Sequence, residues 1–343
     1  MSGGPSEAPL SSQVLIAEPE AKIRRPQKSG LAVALGRPEA GAVLATICVF
    51  AFFAAFADKF LSAQVMSNVF LLSAELGIVA IGIAMLMVAG EFDLSIGSVF
   101  GLGAAITILT LNAGFSGPTA LGIALLAATL IGALNGLLVT KLRIPSLIIT
   151  LGGLMFYRAI VLALTGGFPL RLTESQPFLS IFNFWVGPIP GPFFWLVGLV
   201  VLFSFLLNNT KLGNWVFATG GARDAAREMG VPVARVKIMM FVAASTLAAL
   251  AGVVQMARFS SVDALRGDGL ELEAILAVVV GGTWLNGGYG SVVGAVLGVV
   301  MLAMIKQGLI LMGIPAYWYR AGIGAVLVVA AVLNQYVRER SGQ

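Results

Sequence analysis

Glu91 and Asp93 stand one residue apart in the segment AGEFDLSIGS, between two apolar stretches. Two carboxylates in so tight a turn beside a membrane core suit a proton or cation site, since acids there are costly and often functional. The same pair also reads as helix punctuation, with Asp93 as N-cap of the span that follows and its charge favoured by the positive helix end. Glu75 lies near the outer end of one apolar span, and Lys306 lies in the second half of another. A charge at mid-membrane costs at least roughly 2.5–3.5 kcal/mol on insertion scales. Each is therefore either part of a polar path or near enough to an interface to snorkel or pair locally. Asn135, Asn286, Gln255 and Gln307 add amides in or beside spans, able to line a hydrophilic route or to bond helix to helix. Glu91, Phe92, Asp93, Asn135, Trp284 and Asn286 are the candidates for a translocation path or gate.

Covalent chemistry has little to work with. The chain contains no His and a single Cys, Cys48, so an internal disulfide, a zinc or haem site and a Cys/His nucleophile pair lack their residues. There is no GxxxxGK[ST] and no Gly-Lys dipeptide, so the phosphate-binding loop of that type is absent. No catalytic residue, cofactor or metal site is expected. If ATP drives this protein, another chain binds it.

The elements that must position these residues are membrane helices. The chain is 58% hydrophobic and 11% charged, with 42 glycines. Its runs of about 20 apolar residues match a hydrocarbon core of roughly 30 Å. The net charge of +5 is no nucleic-acid signal, because the basic residues sit at the ends of apolar spans. Residues 1–38, rich in Pro, Ser, Gly and charge, read as a disordered tail. The first apolar run begins near residue 40, too late for an ordinary signal peptide, so Ala55-Phe56-Ala57 is read as part of an uncleaved span. Ten spans are predicted, at about 40–57, 71–89, 94–113, 118–140, 146–165, 191–208, 237–258, 271–283, 290–312 and 318–337. The eighth is short and ends at Gly281-Gly282. Broken helices of this kind are tolerated where protein or a water-filled cavity covers the backbone.

Placing the amino terminus in the cytoplasm puts Lys22, Arg24, Arg25, Lys28, Arg37, Lys141, Arg143, Arg338 and Arg340 inside. The basic residues of the 209–237 insert fall inside with them. Lys59, Arg171, Arg258 and Arg266 fall outside. That asymmetry favours this orientation. Within the insert, Ala222, Ala225, Ala226 and Met229 fall at i, i+3, i+4 and i+7, on one face of a short helix stopped by Gly230 and Pro232. Arg223 with Arg227, and Asp224 with Glu228, form adjacent basic and acidic stripes beside that face. Two turns of helix do not hold themselves together in water. The helix is therefore expected to dock on a soluble partner. VAGEFDLSIGSVFG (88–101) and VVGGTWLNGGYGSVVG (279–294) also hint at an internal repeat, as do 135–146 and 307–316, but the two pairs disagree in orientation.

GEFDLSIGS (90–98), LNGLLVTKLRIPSLIITLGG (134–153), GNWVFATGGARDAAREMGVPVARVKI (213–238), LAALAGVV (247–254) and GLELEAILAVVVGGTWLNGGYGSVVGAVLG (269–298) resemble the permease subunits of bacterial ABC importers for monosaccharides, the ribose, xylose and galactose type. The resemblance runs from about residue 60 to residue 335. It implies an all-α, ten-helix permease similar in architecture to the cobalamin-importer class, with both termini in the cytoplasm. It implies a permease domain over 39–338 with 209–237 as its cytoplasmic loop, and a short tail at 339–343. It further implies a second permease, ATP-binding-cassette ATPase subunits, a periplasmic sugar-binding protein, and an inner-membrane lipid environment. Residues 222–230 match the helix that couples to the ATPase. Where the family more often shows Gly before an Ile-Asp pair, this chain has Glu91-Phe92-Asp93, a departure that points to a subfamily with different substrates. The residues alone leave a rival open: an ion-coupled secondary transporter using Glu91, Asp93 or Glu75. A passive channel would need no docking helix.

Overall fold

The computed structural model describes Gly4, residues 38–315, and residues 317–319, 321–322 and 324–325. The expected tails at 1–38 (Gly4 and Pro38 apart) and 339–343, and most of the tenth expected span, lie outside the described residues. Helix α1 spans Pro38–Phe56. Helix α2 (Ala63–Val88) follows a turn ending at Ser62, whose hydroxyl accepts from the Val65 N–H and caps it. The apolar pattern predicts a start at 71. The Ser62 cap moves it to 63, and Ser67 is accommodated there by donating to the Pro188 carbonyl. Glu75 therefore sits near the middle of a 26-residue helix, not near its end.

Helices α3 (Ile96–Asn112), α4 (Gly117–Leu142) and α5 (Ser146–Thr165) come next, joined by short turns. The connection to α6 (Gly191–Asn209) carries β1 (Leu170–Arg171), a 3-10 turn (Pro177–Ile181), β2 (Trp185–Val186) and β3 (Ile189–Pro190). The insert folds into α7 (Lys211–Gly221) and α8 (Arg223–Glu228). It leads into α9 (Val233–Phe259), then β4 (Ser261–Val262), α10 (Leu270–Val280) and α11 (Val292–Leu311). β1 pairs antiparallel with β4, and β2 with β3. At 11 residues α10 is roughly 16 Å long, about half a hydrocarbon core. Six of these helices are long and apolar enough to cross a membrane, with α1 and α3 as shorter apolar helices. The protein is an all-α, multi-pass membrane protein.

Every residue of α2 from Ser73 to Val88 is buried, as expected of a helix apolar on nearly every face. α9 packs against α2, α3 and α4, and α11 packs against α1, α2 and α10. Small side chains set how close the helices come. On α4 the buried stripe is Ala120, Ala124, Ala128, Gly132, Asn135, Gly136 and Val139, facing Phe241, Val242 and Ile238 of α9 at its two glycines. The opposite faces of α4, α5 and α6 show Leu126, Leu130, Leu151, Phe156, Val201 and Phe205 outward. No aqueous surface suits such a belt; acyl chains do. The two segments with the repeat-like sequence both form a helix, a tight turn and a helix. Their turns touch, with the Gly288 N–H donating to the Val88 carbonyl at 2.8 Å.

Candidate functional site

The 209–237 insert begins with α7, capped by Thr210, whose hydroxyl accepts from the Gly213 N–H. The chain bends at Ala222 and enters α8, six residues long, with no side-chain cap. Backbone bonds close it: Ala226 N–H to Ala222 carbonyl, Met229 N–H to Ala225 carbonyl, and Val231 N–H to Ala226 carbonyl. Gly230 takes φ +82, the left-handed position that ends a helix this way and favours glycine. The predicted four-residue face divides. Ala226 turns inward and is 5% exposed, while Met229 is 85% exposed. Ala222, Arg223, Asp224, Ala225, Arg227, Glu228 and Gly230 are also exposed. Ala226 anchors the helix to its own chain, and Ala222, Ala225 and Met229 form the outer apolar surface.

Beside α8 lies a cavity of about 530 Å³. Lys141, Arg143, Arg223, Arg227, Arg235 and Lys237 line it, with no acidic residue among its walls. Arg223 and Arg227, one turn apart, are thus set against the cations at the end of α4. Such a surface favours an acidic counterpart.

α7 ends against the membrane core. A Cβ at Gly220 would collide with the Val88 carbonyl and with the Gly288 backbone. A Cβ at Gly287 would meet Gly90 Cα at 2.7 Å. Three backbones thus touch without side chains between them: the end of α2, the end of α7, and the 281–291 turn. Main chain against main chain transmits displacement with little slack. Trp284 and Asn286 belong to this turn. Trp284 is half-buried with its ring 4.8 Å from that of Tyr289, and Asn286 is exposed.

Glu91, Phe92, Asp93 and Asn135 are brought together on the other side of the α2–α3 turn. Glu91 forms an ion pair with Lys237 at the start of α9. Asp93 is fully buried, and its Oδ1 accepts from the Ser95 N–H at 2.8 Å and the Ser95 hydroxyl at 2.6 Å. Asn135 Nδ2 donates to Ser95 Oγ at 3.0 Å, and the Tyr157 hydroxyl donates to Asn135 Oδ1 at 2.8 Å. The Phe92 N–H donates to Ser146. Asp93 is therefore not the N-cap of α3, which begins at Ile96: it folds back on Ser95 and ties the turn to α4 and α5. Glu91 is not punctuation either, since its partner lies 146 residues away.

Glu75 and Gln255 meet as well. Gln255 donates to Glu75, and Arg258 Nη2 lies 2.6 Å from the same carboxylate. The amphipathic pattern gives no sign of this triad, because Glu75 lies on α2 and its two partners on α9. From the sequence, Arg258 is the last residue of the 237–258 span, at its outer end. Among the described residues, no group of three or more His, Cys, Asp or Glu is placed to hold a metal ion.

Comparison with known proteins identifies the architecture. The family described as branched-chain amino acid transport system / permease component matches residues 65–331. The xylose/arabinose import permease protein XylH of Sulfolobus acidocaldarius is 38% identical over 292 residues, covering 83% of this chain and 81% of that protein. The autoinducer 2 import system permease protein LsrC of Salmonella typhi is 39% identical over 307 residues, 88% of this chain and 86% of that one. LsrC of Photorhabdus luminescens is 34% identical over 301 residues. No solved structure matches the chain. The chain belongs to this permease family: it is the transmembrane, non-catalytic subunit of an ATP-binding-cassette importer, and a separate chain hydrolyses the ATP.

Proposed function

We propose that this permease carries a monosaccharide or related polyol into the cytoplasm by alternating access, and that residues 222–230 are where the ATPase pushes. The observation that carries the reading is α8 itself: six residues, uncapped, standing out from the membrane body with Met229 bare. A helix so short gains its stability from what it packs on, and one face still lacks a partner. The basic cavity beside it suits an acidic rim on the ATPase. Displacement of α8 would pass through α7 to Gly220, and from there to the ends of α2 and the 281–291 turn, next to Trp284 and Asn286. Glu91, Phe92, Asp93 and Asn135 would brace that gate and not bind solute. The import of xylose or arabinose by one relative supports a sugar here, and the autoinducer 2 permeases support a small polar solute more broadly.

In this reading the protein resides in a bacterial inner membrane, with 209–237 and both termini in the cytoplasm. Residues 39–338 form the translocating body between the tails 1–38 and 339–343. A second permease, identical or related, completes the pore, and a periplasmic sugar-binding protein supplies the solute. An ion-coupled carrier is disfavoured, because Glu91 and Glu75 are each held by a cation of the same chain.

The test is reconstitution of the chain with an ATP-binding-cassette ATPase and a periplasmic binding protein from the same organism. Uptake of D-ribose, D-xylose, L-arabinose or D-galactose is expected only with ATP and the binding protein present. Uptake driven by a proton or sodium gradient without ATP contradicts the proposal. For orientation, single cysteines at Ala225 and Ser175 in a Cys48→Ser background report to an impermeant thiol reagent. Labelling from the periplasm is expected at 175 and not at 225.

A further inference from the structure

α9 runs away from the α8 end of the molecule, and near its far end Gln255 faces a cavity of about 310 Å³. Arg266, Asp268, Glu273, Lys306 and Tyr319 supply the rest of its polar wall. Leu270, Leu309 and Ile310 supply apolar wall. A smaller space of about 100 Å³ shares Gln255, Glu273, Lys306 and Tyr319, and leads on to Glu75 and Leu72 of α2. The two together make a polar recess among α2, α9, α10 and α11, within a body whose outer belt is aliphatic.

The charges around this recess balance. Glu75 is neutralised by Arg258, which lies outside the lining, and the remaining wall charges are Asp268 and Glu273 against Arg266 and Lys306. Glu75 is held by Arg258 and Gln255, and the Lys306 ammonium lies 5.1 Å from the Tyr319 ring centroid. Among the described residues, the amide oxygen of Gln255 is buried and has no hydrogen-bond partner. A buried acceptor left open calls for a donor. An anion would meet Asp268 and Glu273, and a cation would meet Arg266 and Lys306, so neither gains from entering. A neutral molecule with several hydroxyls, each both donor and acceptor, satisfies such a wall. The volume is at the small end of the range for small-molecule sites, about 300–1,000 Å³, and suits a single sugar ring. Tyr319 and the leucines offer an apolar wall to the ring's C–H face.

We propose that this recess is a solute-binding station within the permease, taking one neutral polyhydroxylated ring, with Gln255, Glu273 and Lys306 as the residues that hold it. This rests on the sugar-import reading above. With 209–237 inside, the recess lies on the periplasmic side, where solute released by the binding protein would arrive first.

The experiment uses the complete importer in proteoliposomes, with radiolabelled D-ribose, D-xylose and L-arabinose as probes in turn. The parent complex is measured first. If it imports none of them under ATP, the sugar reading fails before any variant is compared. Given uptake by the parent, Lys306→Met and Gln255→Leu are expected to lower it about tenfold or more. ATP hydrolysis stimulated by the binding protein is expected to stay within about twofold of the parent, because the coupling site is untouched. Uptake at the parent rate in both variants overturns the proposal. Should uptake and hydrolysis fall together, Gln255→Cys in a Cys48→Ser background decides. Its reaction with a small methanethiosulfonate added from the periplasmic side is expected to slow in millimolar imported sugar. A rate that the sugar leaves unchanged also overturns the proposal.

Discussion

Two clusters of acid, amide and base sit toward opposite ends of α9. Near its start, Lys237 holds Glu91, and the Asp93–Ser95–Asn135–Tyr157 chain of hydrogen bonds lies close by. Near its end, Gln255 and Arg258 hold Glu75, and the same Gln255 opens onto a cavity shared with Glu273 and Lys306. The residue types are nearly the same. The first cluster is bonded within itself, joining the α2–α3 turn to α4, α5 and α9, and among the described residues it leaves one buried oxygen, Asp93 Oδ2, without a partner. The second also leaves a buried acceptor, Gln255 Oε1, and unlike the first its residues line an internal space next to Glu273 and Lys306. Buried polar groups bonded to one another rigidify a fold, whereas groups lining a cavity are available to a ligand. Polarity within a membrane body is therefore no guide to the solute route until the partners are known.

The contrast is breakable at its strongest point. Lys237→Met leaves the Glu91 carboxylate buried without its cation, and removing one member of a buried pair costs about 3–5 kcal/mol. Folded yield and thermal midpoint in detergent are expected to fall sharply, and the double variant Lys237→Met/Glu91→Gln is expected to recover most of the loss. A stable single variant would mean that this pair is not structural. Next in size, Asn135→Leu strands the Tyr157 hydroxyl and removes the bond to Ser95, a loss of about 1–3 kcal/mol. Lys306→Met, at the other cluster, is expected to shift the thermal midpoint less than Asn135→Leu while lowering uptake more. Equal effects of the two on stability and transport would erase the distinction between the clusters.

The same logic divides the two faces of α8. Ala226→Trp overpacks a buried contact and is expected to destabilise the permease itself by about 1–3 kcal/mol. Ala225→Trp, one residue away and exposed, is expected to change stability by no more than about 0.5 kcal/mol. Thermal melts of the two purified proteins check this directly.

Much of the fold was legible in the sequence because apolar runs and their breaks are local signals. The short α10 was marked by Gly281-Gly282, and the stop of α8 by Gly230 and Pro232. The start of α2 was misplaced because Ser62 caps a helix whose first turns carry Gln64, Ser67 and Asn68, which hydropathy reads as loop. That single shift moved Glu75 from a span end to mid-helix and hid its role. The candidate site was legible in part. The α8 segment stood out by composition, but periodicity could not say which alanine faces home, since Ala222, Ala225 and Ala226 all lie within one arc. The Glu91–Lys237 pair spans 146 residues, and the Gly220–Gly288–Val88 junction joins three distant segments. Contacts of that kind follow from packing and leave no spacing to read.

The central claim is that the exposed face of α8 receives the ATPase. Ala225→Trp combined with Met229→Asp alters only outward-facing side chains. In the complete importer, the account predicts a stable, membrane-inserted permease whose ATP-dependent uptake falls at least about tenfold. The ATPase chain should be lost on purification, or should hydrolyse ATP without moving solute. Full uptake by the double variant, with the ATPase still bound, would contradict the account.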